Sequence, residues 1–224
     1  MRDGAVLVRK LFAEWLGSLL LTATVVGSGI LAFDLAAGND GVALLGNTLA
    51  TGAILFVLVA TLGPVSGAHF NPAVTFAFYL HREIGLSLGL AFIGLQIVGC
   101  IMGAWLAHLM FELPIIQIAE TDRAGLGKMV SEVAATFALV FAIFGAIRFR
   151  PDLVPAAVGL VITAGYWWTA STSFANPAIS IARALSDTFA GIRPIDVPGF
   201  IIAQFIGAAL AVGAGALLFQ KGEA

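Results

Sequence analysis

The tripeptide Asn-Pro-Ala occurs twice, at Asn71-Pro72-Ala73 and at Asn176-Pro177-Ala178, almost half a chain apart in 224 residues. One copy would constrain little, because Asn-Pro marks many turns and helix starts. Two copies at mirrored places constrain a great deal. Each closes a longer stretch, Gly67-Ala68-His69-Phe70 in the first case and Thr172-Ser173-Phe174-Ala175 in the second. Each is followed by an apolar run, Val74-Thr75-Phe76-Ala77 or Ile179-Ser180-Ile181-Ala182. Asparagine is a good N-cap, and proline at the first helical position gives up no hydrogen bond. Both sites therefore read as starts of short helices, about 72–80 and 177–186. A bilayer-spanning helix needs about 20 apolar residues, so neither can cross.

The rest of the chain supplies the solvent for these short helices. It is 60% hydrophobic and 11% charged, with a mean hydropathy of +1.01, whereas soluble domains carry roughly 25% charged residues. Such a chain cannot cover a water-facing surface. Spanning helices are predicted at roughly 11–33, 42–63, 88–111, 129–147, 153–170 and 199–219, with turn residues such as Gly38-Asn39-Asp40-Gly41 between them. The fold class is an all-α membrane protein of six transmembrane helices plus two re-entrant half-helices. Nothing at the N-terminus reads as a cleaved signal, since the run after Lys10 contains Glu14, is too long for a signal h-region and leads into further spans. A net charge of −2 gives no basic footprint for nucleic acid. The single cysteine, Cys100, reads as a buried thiol.

The halves resemble each other beyond the loops. Ala13-Glu14-Trp15-Leu16-Gly17 matches Ser131-Glu132-Val133-Ala134-Ala135, Gln96-Ile97-Val98-Gly99 matches Gln204-Phe205-Ile206-Gly207, and Ser66 and Ser171 hold equivalent places before their asparagines. One membrane domain, 1–224, is thus read as a repeat at about 1–114 and another at about 125–224. Three spans per repeat is an odd number, so the second copy sits inverted, as in other membrane proteins with broken helices meeting at the midplane. Placing the N-terminus inside puts Arg2, Arg9, Lys10, Arg82, Arg148, Arg150 and Lys221 on the cytoplasmic side, against Arg123, Lys128, Arg183 and Arg193 outside. The positive-inside bias favours that orientation, and an even number of spans brings the C-terminus inside too.

Irregular backbone at membrane depth is tolerated only where protein buries it or where it lines a wet cavity. Two such loops meeting at the midplane imply a water-filled path. Each half-helix starts with free N–H groups and a dipole worth about half a positive charge. Asn71 and Asn176 add amide donors at the same point. A neutral solute with lone-pair oxygens is held there, whereas a cation meets two positive dipole ends.

On these residues the chain resembles the aquaporin and glycerol-facilitator family, the major intrinsic proteins. The resemblance covers nearly the whole chain, including Ser66-Gly67-Ala68-His69-Phe70-Asn71-Pro72-Ala73-Val74-Thr75 and the Glu14/Glu132 pair. It implies a right-handed bundle, usually a homotetramer with one pore per subunit, and glutamates that accept hydrogen bonds from the dipping loops. It also implies an outer four-residue filter, whose usual arginine directly follows the second Asn-Pro-Ala. Here that residue is Ile179. Carried over by spacing, the other positions are Thr51, Ser173 and either Tyr166 or Ala164. Without the arginine the ring loses a fixed cation and up to five donors. Arg183, one helical turn beyond Ile179, reads as a solvated or headgroup-facing residue, with a filter role or a weak pairing to Asp187 as alternatives.

The expected function is passive flux of small uncharged solutes: glycerol-like polyols, neutral metalloid hydroxides such as arsenous acid, and water. The metalloid class follows from similarity to family members, associated with bacterial arsenic resistance, that carry a small apolar residue at the filter position. A strictly water-selective channel is one alternative and an ion-coupled inverted-repeat transporter another. His69 reads as a loop-packing residue, and His81 and His108 as interfacial ones. No metal set, nucleophile–base pattern or cofactor motif is visible, so neither an enzyme nor a cofactor is expected. The bacterial inner membrane is the expected location, with multiple crossings and both termini cytoplasmic.

Overall fold

The computed structural model of the protein describes residues 2–219, apart from the side chains of residues 2 and 3. Lys221 and the side chain of Arg2, both used above for orientation, lie outside the described residues. The helices in order are α1 (Arg2–Leu35), α2 (Asp40–Ser66), α3 (Pro72–Leu80), α4 (Leu86–Met110), α5 (Leu126–Phe149), α6 (Val154–Trp168), α7 (Pro177–Arg183) and α8 (Val197–Leu218). No strand occurs among the described residues.

Five of these, α1, α2, α4, α5 and α8, are long and apolar enough to cross a bilayer. The remaining long segment, α6, has 15 residues, roughly 22 Å of helix. A 3-10 turn at Pro151–Leu153 precedes it and adds roughly 6 Å. It ends at Trp168 rather than 170 because Thr169 turns extended (φ −113, ψ 140) and leads into the second loop. Trp167 and Trp168 at this end are exposed, as aromatic residues at a membrane boundary are. The half-helices start at Pro72 and Pro177. The second stops at Arg183 instead of 186 because the chain tightens, Ala184 N–H bonding Ile181 O at 3.2 Å and Leu185 N–H bonding Ala182 O at 3.0 Å.

Packing follows the duplication. α1 lies on α2 and α4, α5 lies on α6 and α8, and α2 meets α6 across the middle. The half-helices cross over: α3 packs against α8 of the other repeat, α7 packs against α4, and the two touch. Glycine allows the closest backbone approaches. A Cβ on Gly99 would overlap the Trp15 carbonyl, and one on Gly207 would overlap the Val133 carbonyl. These positions match between repeats, and small residues are what lets membrane helices close together. Polarity is turned inward. Glu14, Glu132, Gln96, Gln204, Asn71 and Asn176 are buried, while Leu160 and Ile202 on the outside are 67% and 61% exposed.

Candidate functional site: two loops around a narrow cavity

The loops are built by backbone that few side chains adopt. α2 ends at Gly67, whose φ of +97 suits glycine and whose N–H bonds Gly63 O at 2.9 Å. Beyond it, Ala68 (φ 52) and Phe70 (φ 49) are left-handed; in the second loop Ser173 (φ 53) and Ala175 (φ 46) hold the same places relative to their asparagines. Left-handed L-residues cost roughly 1–2 kcal/mol each, so something must hold them.

The buried glutamates do. Glu14 Oε1 accepts from Ser66 Oγ at 2.6 Å and His69 N–H at 3.0 Å, and its Oε2 accepts from Phe70 N–H and Gln96 Nε2, each at 2.8 Å. Glu132 Oε1 accepts from Phe174 N–H at 2.9 Å, and its Oε2 from Ala175 N–H at 2.9 Å and Gln204 Nε2 at 2.6 Å. The glutamines then reach the half-helices: Gln96 donates to Thr75 Oγ1 at 2.9 Å and Gln204 to Ser180 Oγ at 3.0 Å. Ser66 and Ser171 each accept a loop N–H two residues on, from Ala68 at 3.0 Å and Ser173 at 3.2 Å. The glutamines were visible in the sequence only as repeat markers. A polar side chain recurring in an apolar span was the signal for their role.

The asparagines lock the loops to each other. Asn71 Nδ2 donates to Ala175 O at 2.7 Å, and Asn176 Nδ2 donates to Phe70 O at 2.9 Å. Their Oδ1 atoms cap the half-helices, accepting from Ala73 N–H at 2.9 Å and from Ala178 N–H at 3.0 Å. An amide NH2 has two hydrogens. One joins the loops, and the second is not used in that bond.

Both asparagines line a cavity of about 50 Å³, taken as room for the centres of water-sized spheres. One water needs roughly 10–15 Å³ by that measure, so the space has room for only a few waters. Apolar walls run along it, including Leu21, Val25, Leu55, Leu139, Ile143 and Ile162. Thr51, Tyr166, Ser173 and Ile179 line it together, with Thr51 Oγ1 and the Tyr166 hydroxyl 3.2 Å apart. Ala164, the alternative to Tyr166, is exposed on the other side of α6.

Two expectations need correction. Arg183 is 3% exposed, not solvated. Its guanidinium carbon sits 3.4 Å from the centre of the Phe174 ring, and its Nε donates to Ala190 O. Asp187 instead accepts the Glu120 N–H at 3.1 Å. The short α7 and the folded-back segment at 184–192 enclose the arginine, which spacing along a helix could not show. His108 is fully buried rather than interfacial, with Nδ1 2.9 Å from Ile115 O and Nε2 2.9 Å from Ser186 Oγ. It ties the end of α4 to the chain beyond α7. His69 packs in its loop, 4.4 Å from Phe78 between ring centres and 3.1 Å from Thr75 Oγ1. His81 pairs with Glu83 at 2.9 Å on the surface.

Sequence reasoning missed Arg123. From the α4–α5 connection its Nε donates to Gly191 O at 2.7 Å, and its guanidinium carbon lies 4.8 Å from the same Phe174 ring. Burial pulls its guanidinium below the ordinary value, against the opposing pull of Glu132 and Tyr166. A loop arginine gives no periodic signal, so nothing in the sequence marked it.

Comparison with known proteins agrees with this architecture. The profile described as "Major intrinsic protein" matches residues 3–173. The chain is 52% identical to the aquaglyceroporin AqpS of Rhizobium meliloti (strain 1021) over 206 residues, covering 92% of this chain and 88% of that protein. It is 32% identical to the probable aquaporin PIP2-8 of Oryza sativa subsp. japonica over 197 residues, covering 80% and 70% respectively. The X-ray structure of the aquaglyceroporin from Plasmodium falciparum superimposes with a TM-score of 0.78 at 19% identity, over 95% of this chain and 96% of that one. The likeness at that identity is one of fold. With the helical architecture above, these matches place the chain in the major intrinsic protein family, as a multi-pass membrane channel for passive movement of water and small solutes and not an enzyme.

Proposed function

We propose that the cavity between the two loops is the solute path, and that its permeants extend beyond water to glycerol-like polyols and neutral metalloid hydroxides such as arsenous acid. The observation that carries this reading is the composition of the wall: apolar side chains along its length, two asparagine amides at the crossing, and Ile179 where a donor-rich arginine is usual. A polyol has the matching pattern, a carbon edge for the wall and hydroxyls for the amides. A trihydroxy metalloid resembles it in size and hydrogen bonding. The central constriction is formed by Asn71, Pro72, Ala73, Asn176, Pro177 and Ala178. Thr51, Tyr166, Ser173 and Ile179 form the outer ring, and Glu14 and Glu132 hold the loops.

A strictly water-selective channel is the second reading, supported by the narrowness of the cavity and the close approach of Thr51 to Tyr166. Stopped-flow light scattering of proteoliposomes with water, glycerol, urea and arsenous acid separates the two. Glycerol and arsenous acid fluxes well above those of empty vesicles are expected; water flux alone would return the reading to the narrower channel. Four copies in a tetramer fit the apolar exterior and the family resemblance, and cross-linking in membranes tests it. The bias of basic residues supports cytoplasmic termini in a bacterial inner membrane, which protease access to terminal tags on either face would check.

A further inference from the structure

Ile179 leaves the outer ring without a fixed charge, yet a charge lies close by. The narrow cavity and the wider vestibule outside it have one lining residue in common, Arg183. The vestibule is also lined by Arg123, Thr121, Thr172 and Asp40. Phe174 gives Arg183 an aromatic face at 3.4 Å and Arg123 one at 4.8 Å. The carbonyls of Ala190 and Gly191, adjacent in sequence, take the two Nε donors. Among the described residues, neither guanidinium forms an ion pair with a carboxylate.

The repeat explains how the arginine is positioned. In the first loop His69 stacks on Phe78 at 4.4 Å and meets Phe92 edge-on at 5.6 Å. In the second loop Phe174 holds the place of His69 and meets Phe200 edge-on at 5.1 Å. Arg183 stands where the first repeat has Phe78, stacked on the equivalent ring. A half-buried aromatic stack has become a buried cation over an aromatic ring, an arrangement that holds a guanidinium without a counter-ion.

We infer that Arg183, backed by Arg123 and steadied by Phe174, is the cation-excluding filter of this channel, displaced one helical turn outward from the ring at Ile179. This rests on the cavity being the solute path. Size and charge are then sorted at different levels. The ring of Thr51, Tyr166, Ser173 and Ile179 limits width, and the guanidinium at the neck opposes entering cations. One guanidinium at the narrow neck and a second lining the vestibule beside it repel a cation more strongly in that confined setting than they would in open water.

The test compares potassium leak with glycerol flux in proteoliposomes carrying the wild type, Arg183→Gln, Arg183→Lys, and Ile179→Arg combined with Arg183→Gln. Glutamine retains a donor for the Ala190 carbonyl but removes the charge together with the group stacked on Phe174, and the lysine variant, which keeps the charge without the planar stack, separates charge from shape. The ratio of potassium to glycerol permeability should rise about tenfold or more in Arg183→Gln, stay near wild type in Arg183→Lys, and fall back in the double variant. A ratio in Arg183→Gln within twofold of wild type would overturn the assignment, as would a rise shared equally by Arg183→Lys. If Arg183→Gln does not reconstitute, Arg123→Gln must raise the ratio in the same direction, and an unchanged value there counts against the filter. Wild-type glycerol and water flux no greater than in empty vesicles would instead remove the solute-path reading itself.

Discussion

At the midplane the two halves of the chain are near copies, and at the two mouths they are not. Each half brings a glutamate, a glutamine, a serine and a half-helix hydroxyl into one hydrogen-bonded set, and each asparagine donates to the other loop's backbone. The stack beside each loop keeps its geometry but changes its chemistry, His69 on Phe78 in one repeat and Arg183 on Phe174 in the other. The difference separates two jobs. Groups that hold strained backbone in a nonpolar setting have little freedom, because any lost partner leaves a buried donor unpaired. The groups beside the loops at the mouths hold no strained backbone, so their chemistry is free to differ between the repeats.

The sharpest way to break the comparison is to remove the glutamates in turn. Glu132→Ala orphans the Phe174 and Ala175 N–H groups and one N–H of the Gln204 amide, whose other bond to Ser180 remains, each at about 1–3 kcal/mol. Glu14→Ala orphans a corresponding set. Both variants should fail to give a folded channel or melt far below wild type in detergent, and to a similar degree. If one is tolerated and the other is not, the midplane is less symmetric in energy than in geometry.

A smaller effect lies within the symmetric zone. A Cβ on Gly17 would overlap the Phe70 ring, while the matching positions of the second repeat are Ala135 and Ala175, both buried. Size has been exchanged between loop and helix. Gly17→Ala should destabilise by about 1–3 kcal/mol. Combined with Phe70→Ala, which recreates the pair of the other repeat, the loss should be less than the sum of the single losses. Thermal unfolding in detergent measures both, and strictly additive losses would contradict the exchange.

At the outer ring, Ile179→Arg tests the asymmetry directly. Glycerol flux should fall roughly tenfold with water still passing, since a guanidinium fills the ring and adds donors. Unchanged glycerol flux in liposomes would mean that Ile179 does not limit width. The floor of the scale is the exposed Arg150–Asp152 pair at 3.1 Å, remote from both zones. The hydrogen bond from Arg150 lowers the Asp152 carboxyl below its ordinary value, so any stabilisation is present above the usual carboxylate range and is lost only as pH falls through the lowered value. Asp152→Asn should leave the melting temperature at neutral pH unchanged, and a clear shift there would show that the loop has a larger role.

The legibility of the sequence follows the same division. Duplicated polar residues in apolar spans announced the midplane, because few other reasons place Glu14 and Glu132, or the two Asn-Pro-Ala motifs, at such depth. Helix starts at Pro72 and Pro177 followed from capping chemistry. The outer mouth was harder to read. Whether Arg183 turns inward depends on where α7 stops and on the fold of 184–192, which brings Ala190 against it. Those are tertiary facts with no local signature. Arg123 arrives from a loop, and Phe174 looks like any apolar loop residue until two guanidinium groups are found on its ring.

The reciprocal asparagine bonds also impose an order on biosynthesis. Asn71 finds its acceptor 104 residues further along the chain, and Phe70 O finds its donor 106 residues further along. At roughly 5–20 residues per second, the first loop exists for several seconds before the ribosome has made the segment that completes it. During that interval its irregular backbone cannot rest in lipid with those groups unpaired. The first loop's mutual bonds are thus complete only once the second half is in place, and until then its polar backbone needs water or other protein as a partner.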